Sequence, residues 1–556
     1  MSLAKQIQIG NRTVEVPVTV MDQVVNFFSP AKGQERFKIR TQMAMVGGYT
    51  GADRTRRANQ KGSRRETDAD TAILPDLRAL REDSQHMIRN NAIAIGAVKT
   101  NVTKIVGRGL RVKSQICREV LNLEDEAACC WERAAEREFA LATDTREIDA
   151  ERQLNFSLLQ GLVLLKTLED GDVFASMPRF VRPGSPYALK LQIIEAARVT
   201  NPGSTYPSSI PLDGKIVGGI EKDLTGAPVA YHICNQHPGG MRYLTGKNLT
   251  WTRLEAFGKK TGAPQVLHLY DKTRPGQTRG VPYLAPIIEL IKQLGRYTDA
   301  EVMAAVVSGM LTTFITTESG DPGDVLTPNA DTGAANPKDT GVELGYGAVI
   351  GLLPNEKIDT VNPGRPNPAF DPFVTAICKQ IGMALEIPAE VLFKAFTASY
   401  SASRAALLDA WTYFLRRRHW LATSFCQPVY EAVITEAVAT GRLSAPGFFA
   451  DPAIRRAYLG TTWNGDAPGQ LDPLKEINAT EKRMALNLTT HAEECSSNPY
   501  GGDDWAGKFP QLVKEKNMLR EAGMDDAKAL PTPAMPMVPA EDPAAELDDT
   551  TDLETE

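Results

Sequence analysis

Apolar positions recur at three- and four-residue steps in several long windows of this chain and alternate in others. Over residues 71–112, Leu77, Leu80, Ile93, Ala97, Val102 and Ile105 trace a helical stripe. Gly107-Arg108-Gly109 closes that stripe, and Leu110 and Val112 begin an alternating strand. A charged helix with Trp131 is predicted over 124–142. An apolar helix over 156–168 leads into a turn at Glu169-Asp170-Gly171-Asp172. Residues 173–281 read as β-rich, with runs such as 189–194 and 227–233 bounded by Gly, Pro, Asn and Asp.

The character changes at Gly280. Ile287, Ile291, Leu294, Val302 and Val306 predict a helix over 286–314, roughly 43 Å long at 1.5 Å per residue, with Pro286 in its first turn. Residues 318–341 are rich in Gly, Pro, Asp and Thr and predict an exposed loop, followed by a strand over 342–353. A shorter helix over 373–385 and a long one over 403–440, with Leu407, Trp411, Phe414 and Leu421 on one face, complete the central region. Helical pattern returns over 473–487 and 511–522. Residues 1–50 show no clear period, and no internal repeat is visible.

Composition narrows the class. The chain has 556 residues, 42% apolar and 23% charged, with a net charge of -6. Such a balance excludes a wholly disordered or collagen-like chain and argues against a generally basic DNA-coating protein. Seven cysteines without a C-x-x-C pair argue for a reducing compartment. No signal-like core occupies residues 1–10 and no run of 18 apolar residues occurs, so a soluble intracellular chain without a membrane partner is expected. Arg54, Arg56, Arg57, Lys61, Arg64 and Arg65 form a basic stretch read as a solvated arm, with contact to phosphate or an acidic neighbour as the functional alternative. Residues 531–543 hold five prolines and 541–556 hold eight acids with no Lys or Arg, which predicts a disordered tail.

Enzyme chemistry finds little support. The stretch from Gly240 to Asn248 approaches a phosphate loop but has five residues between its glycines and Asn248 where a hydroxyl belongs. No G-x-S-x-G or H-E-x-x-H motif occurs. His232, Cys234 and His237 are close enough for zinc but lack completing ligands, and a strand before a turn suits them better. Asp170 with Asp172 and Asp503 with Asp504 sit in turn-like settings, where local backbone hydrogen bonds account for them. Arg416-Arg417-Arg418-His419 spreads around a helix axis and suits solvation or subunit pairing better than a phosphate clamp. Neither a cofactor nor a metal is expected.

Other segments carry a family likeness. Tyr270-Asp271-Lys272-Thr273-Arg274-Pro275-Gly276-Gln277-Thr278-Arg279-Gly280-Val281-Pro282-Tyr283 precedes the long helix with Asp299-Ala300-Glu301. Arg89-Asn90-Asn91-Ala92, Val106-Gly107-Arg108-Gly109-Leu110, Tyr400-Ser401-Ala402-Ser403-Arg404, Trp463, Asp472-Pro473-Leu474 and Gly502-Asp503-Asp504-Trp505 occur in the order seen in lambda-type portal proteins of tailed bacteriophages, which the chain resembles over residues 45–525. Val307-Ser308-Gly309 departs from that pattern, where alanines are usual, and the tail is this chain's own.

The resemblance implies a multidomain α+β portal fold assembling as a ring, usually a dodecamer, at one capsid vertex, through which double-stranded DNA is packaged and ejected. It implies an N-terminal arm (1–50), a wing (51–280), a first stem helix (281–315), a clip (316–366), a second stem helix (367–386), a tunnel loop (387–402), a wing-to-crown helix (403–440), a mainly helical crown (441–525) and the tail (526–556). Implied partners are further copies of itself, DNA, the large terminase, a head-completion or adaptor protein, the major capsid protein and a scaffolding protein. Lys394, Ser399, Tyr400 and Ser401 are the channel candidates, because Lys394 is the only basic residue between Gln380 and Arg404. Glu318, Asp321, Asp324, Asp331 and Lys338 are the docking candidates on the exposed segment. A nuclease or packaging ATPase and a ring scaffold for some other cargo are the alternatives.

Overall fold

The computed structural model describes residues 3–9, 12–18, 20–46, 66–203, 215–240, 249–310, 314–317, 356–359, 367–395, 400–467, 473–496 and 505–521. They divide into two units, residues 1–68 and 69–556. In the first, strands β1 (Leu3–Ile9) and β2 (Arg12–Val18) pair antiparallel and precede helices α1 (Val20–Phe28) and α2 (Pro30–Val46). This corrects the reading of residues 1–50 as without a clear period: Ile7 and Ile9, with Val14, Val16 and Val18, alternate along the hairpin in runs too short to stand out.

The second unit mixes helix and sheet. It opens with α3 (Ala69–Asn90), α4 (Ala92–Ile105), β3 (Arg111–Ser114), α5 (Arg118–Leu121), α6 (Asp125–Thr143) and α7 (Phe156–Asp170). The stripe over 71–112 is two helices because Asn91 takes an extended conformation and its side chain accepts from Ile93 and Ala94 N–H at 3.0 and 3.1 Å, starting α4 afresh. Among the described residues seven strands follow: β4 (Asp172–Ser176), β5 (Gln192–Glu195), β6 (Ile216–Val217), β7 (Ile220–Lys222), β8 (Pro228–Cys234), β9 (Trp251–Glu255) and β10 (Val266–Tyr270). They form two antiparallel sheets, ordered β10-β4-β5 and β6-β7-β8-β9. Phe174, Ile194, Val199, Ile220, Tyr231 and Ile233 make a core between them.

After a short 3₁₀ turn at Ala285–Ile287, which takes Pro286 where no N–H is needed, α8 runs from Ile288 to Met310. The predicted helix end at 314 is instead a strand. Beyond the gap in the described residues, β11 (Phe314–Thr317), with its β-branched Ile315, Thr316 and Thr317, pairs antiparallel with β12 (Glu356–Asp359). The predicted loop over 318–341 and strand over 342–353 lie outside the described residues, as does the tail.

Helices α9 (Phe370–Ala384) and α10 (Ala389–Phe393) lead to α11 (Tyr400–Leu421), and α9 packs on α8 through Tyr297, whose ring centroid lies 4.8 Å from that of Phe373. The long helix predicted over 403–440 is not uniform. Five residues, Ala422–Cys426, are π-helical before α12 (Gln427–Ala439). Pro428 has no N–H for the carbonyl four residues back, and a widened turn relieves the clash of its ring. Phe425 and Cys426 within that turn are fully buried, and Phe425 stacks on Phe156 at 5.5 Å. Next come α13 (Pro452–Tyr458) and β13 (Thr461–Asn464), which pairs with the distant β3, and then α14 (Pro473–Ala485), α15 (His491–Ser496) and α16 (Trp505–Glu521). The main core joins α4, α6, α7, α11 and α12 through side chains such as Val98, Phe139, Leu164, Phe414 and Tyr430. Among the described residues no helix is long and apolar enough to cross a membrane.

One close approach fixes how α7, β4 and the segment after β10 meet. Gly171 ends α7 at φ 88°, and a Cβ on Gly280 would overlap its carbonyl oxygen. Gly280→Ala is therefore expected to lower stability by about 1–3 kcal/mol. Gly295→Ala, where a Cβ meets nothing within 4 Å, should be neutral or raise stability by up to about 1 kcal/mol through helix propensity. Denaturant titration of the two variants beside the parent checks the contrast.

Candidate functional site

Asp172 is the first residue of β4 and has no solvent exposure. An isolated buried carboxylate is costly, so donors must converge on it. Arg279, itself 0% exposed, gives Nε at 2.6 Å and Nη2 at 3.2 Å. Arg81 on α3 gives Nη2 at 2.6 Å, Gly280 its N–H at 3.2 Å, and His268 on β10 places Nε2 at 3.2 Å. Arg279 also donates to the carbonyls of Ala196, Val199 and Gly218 at 2.7–2.8 Å. One guanidinium thus ties the loops of both sheets to β4. The reading of Asp172 as a turn residue satisfied by local backbone is corrected here: its partners are remote, and its register on a buried strand turns it inward.

Burial alone would raise the Asp172 carboxyl, but the two guanidinium groups hold it well below the usual carboxylate range. Burial lowers Arg81 to about 10, which leaves it charged at neutral pH. Burial also lowers His268, with both arginines adding to the effect and Asp172 opposing it. His268 is stacked between Phe174 and Tyr270, with ring centroids 4.2 and 4.3 Å away.

The segment carrying Arg279 continues four residues to Tyr283, which belongs to a second polar group. Thr278 N–H donates to Asp70 Oδ1 at 2.8 Å, fixing one end. At the other, Tyr283 donates its hydroxyl to the Leu385 carbonyl at the end of α9, and Asn101 on α4 gives Nδ2 to the Tyr283 oxygen at 3.4 Å. Arg417 on α11 pairs with Asp271 at 2.8 Å and lies over the Tyr413 ring at 5.6 Å. Burial and the neighbouring Tyr413 push the Tyr283 phenol well above its ordinary value, so it stays protonated and donating. The C-terminus of α9 and the body of α11 are therefore held by the same belt.

Between them the chain makes a compact excursion. Glu386 takes φ 55° and Ile387 N–H returns to the Gly382 carbonyl at 2.9 Å, ending α9 in a left-handed cap. Pro388 starts α10, and Lys394 ends it at φ 55° with its N–H to Glu390 carbonyl. Lys394 is exposed. Beneath α10 a cleft of about 680 Å³ is lined by Lys379, Met383, Glu386, Glu390, Asp409 and Arg416 among others, a mixed-charge surface. Of the sequence candidates, Ser399 lies outside the described residues. Tyr400 and Ser401 begin α11, so the segment 387–402 contains one whole helix and the start of another. Glu318, Asp321, Asp324, Asp331 and Lys338 also lie outside the described residues.

Asp503, Asp504, the basic stretch 54–65 and residues 241–248 lie outside the described residues, and the remaining sequence candidates have partners within the chain. His232 Nε2 is 2.7 Å from Glu221 Oε1, and His237 is 3.8 Å from Glu195, which separates them. Of the cation run, Arg416 and His419 are exposed, Arg417 reaches Asp271, and Arg418 is buried, donating to the carbonyls of Lys104, Ile105 and Asp466. Sequence reasoning missed Arg81, Asp172, Arg279 and Tyr283 as members of one arrangement. Arg279 and Tyr283 lie in a Gly- and Pro-rich segment that composition marks as a loop and that only the family likeness singled out.

The profile of phage portal proteins of the lambda family matches residues 55–418. Portal protein B of Escherichia phage lambda is 24% identical over 476 residues, covering 82% of this chain and 86% of that protein. The portal protein of Escherichia phage N15 is 24% identical over 478 residues, covering 82% and 87%. Among solved structures, the neck of a native gene transfer agent particle computed with C12 symmetry is similar at 12% identity, with a TM-score of 0.39 over 76% of this chain and 92% of that one.

Asp172→Ala is expected to cost about 3–5 kcal/mol, because two buried guanidinium groups lose their counter-charge. Urea titration measures it. His268 makes a second prediction. Its folded-state value lies below the unfolded 6.5, so the unfolded chain binds more protons and stability falls as pH drops through about 6.5. The limiting slope is about 1.4 kcal/mol per pH unit. His268→Gln should flatten that limb between pH 7 and 5.5 in the same titration.

Proposed function

Because the chain belongs to the lambda family of phage portal proteins, we propose that it closes into a ring of twelve copies around an axial channel that conducts double-stranded DNA at one capsid vertex. A portal protein is a structural part of the phage capsid. The channel, its stoichiometry and its partners are the finer reading, and the apolar surface left uncovered on one chain supports it. Val302, Met303 and Val306 on α8 are 64%, 62% and 46% exposed, and Phe373 and Met383 on α9 are 47% and 82% exposed. Contacts between neighbouring copies would remove these side chains from water, at about 25 cal/mol per Å².

A conduit needs the opposite of a tight DNA grip. Each phosphate paired to a fixed cation must be released before the duplex advances, so strong contacts become traps. A net charge of -6 per chain suits weak attraction. In this reading α8 and α9 are the stem, 316–366 is the clip that meets terminase and then a head-completion protein, and 387–402 carries the channel loop. The clip strands would bring its two ends together, and the capsid and scaffolding proteins would meet the wing. Lys394, exposed at the end of α10, would touch phosphate, with Ser399, Tyr400 and Ser401 beside it. The belt of Tyr283, Asn101 and Arg417 would hold the loop's root while the loop itself yields.

Lys394→Glu is expected to leave ring assembly intact, as sedimentation reads it, and to reduce packaged or retained DNA in particles assembled with the variant. Unchanged packaging and retention would remove Lys394 from the channel. Val306→Asp should instead shift the sedimentation profile from rings to single chains.

A further inference from the structure

An open groove of about 900 Å³ lies along the junction of α11, the π turn and α12, walled on the other side by α13 and β13. Its charge is one-sided. Arg418, Arg455 and Arg456 line it, and Glu431 is its only carboxylate among the described residues. Glu431 already accepts from Gln427 Nε2 at 3.2 Å. Arg456 is exposed and, among the described residues, its guanidinium has no ion-pair or hydrogen-bond partner. Arg455 lies over the Phe448 ring at 5.7 Å and meets Thr435 Oγ1 only at 3.4 Å, so its guanidinium keeps donors for another ligand.

Size and charge together select the occupant. Cavities of about 300–1,000 Å³ take a drug-sized molecule or a few peptide residues, whereas a duplex whose major groove alone is about 12 Å wide cannot enter. An acidic peptide fits both criteria, and this chain contains one. Residues 541–556 carry eight carboxylates and no Lys or Arg. Glu541 lies twenty positions beyond Glu521, where the described residues end. Fully extended, they reach about 66–72 Å, enough to cross a domain of this size. A short tether also keeps such a segment at an effective concentration near ~1 mM, where a few charge pairs suffice for occupancy.

We propose that the acidic C-terminal tail docks in this groove, its carboxylates pairing with Arg455 and Arg456. Docking neutralises the cations of the groove, and it is displaced by salt.

A Glu-specific protease acting on the full-length protein, read by mass spectrometry at Glu541, Glu546 and Glu554, tests this. Slow cleavage is expected in the parent at low salt, and about tenfold faster cleavage with Arg456→Glu, equivalent to about 1.4 kcal/mol of lost docking. Addition of about 0.5 M salt should release the parent's tail similarly. Combining Arg456→Glu with Asp548→Lys and Asp549→Lys should restore slow cleavage. Circular dichroism checks that the fold is unchanged, since Arg456 is exposed and its guanidinium unpaired. Equal cleavage of parent and Arg456→Glu, failure of the charge swap to restore protection, or protection that appears only with added duplex DNA would each overturn the proposal.

Discussion

Asp172 has no solvent exposure, and that single constraint joins α3, β4, β10 and the loops of both sheets. A carboxylate in such a place must be met by donors from several directions, or it would lose its charge. Here Arg81 comes from α3, Arg279 and Gly280 from the segment after β10, and His268 from β10 itself. Replacing such a cluster with apolar side chains often leaves stability unchanged or improved. Its contribution is therefore better sought in arrangement. The Arg279 guanidinium reaches three carbonyls only when both sheets sit in one relation to α3, and the missing Cβ of Gly280 lets the backbone pass against Gly171.

That arrangement extends to the loop between α9 and α11. Tyr283 follows Arg279 by four residues, and its hydroxyl meets the Leu385 carbonyl where α9 ends. Arg417 fixes α11 to Asp271 in the same segment. A portal chain that carries DNA past a loop, as proposed above, gains from this division of labour. The root is anchored in a polar belt, and the exposed Lys394 ends a short helix whose Val391 is buried in the main core.

The helices were largely legible in the sequence because their apolar stripes run for several turns, as in α7, α8 and α11. The β-rich region was legible too, from short alternating runs between turn residues. Boundaries failed where one residue decides. Asn91 splits a stripe by capping, Pro428 inserts a π turn without interrupting apolar periodicity, and Phe314–Thr317 continues a helical pattern in residues that prefer a strand. Asp172 was misread because a carboxylate beside glycine looks like a turn until its remote partners are known. Arg279 and Tyr283 are 107 and 102 residues from the groups they hold, and such pairings leave no periodic trace. The family likeness did reach that segment, because it is read from residue order and does not depend on periodicity.

Everything functional rests on copies of this chain closing around an open axis. Electron microscopy of the purified full-length protein, with classification of end-on views, tests that most directly. Closed rings of twelve subunits, with a central opening wide enough for a duplex, are the predicted result. Particles that remain single chains, or assemblies with a filled centre, would contradict it.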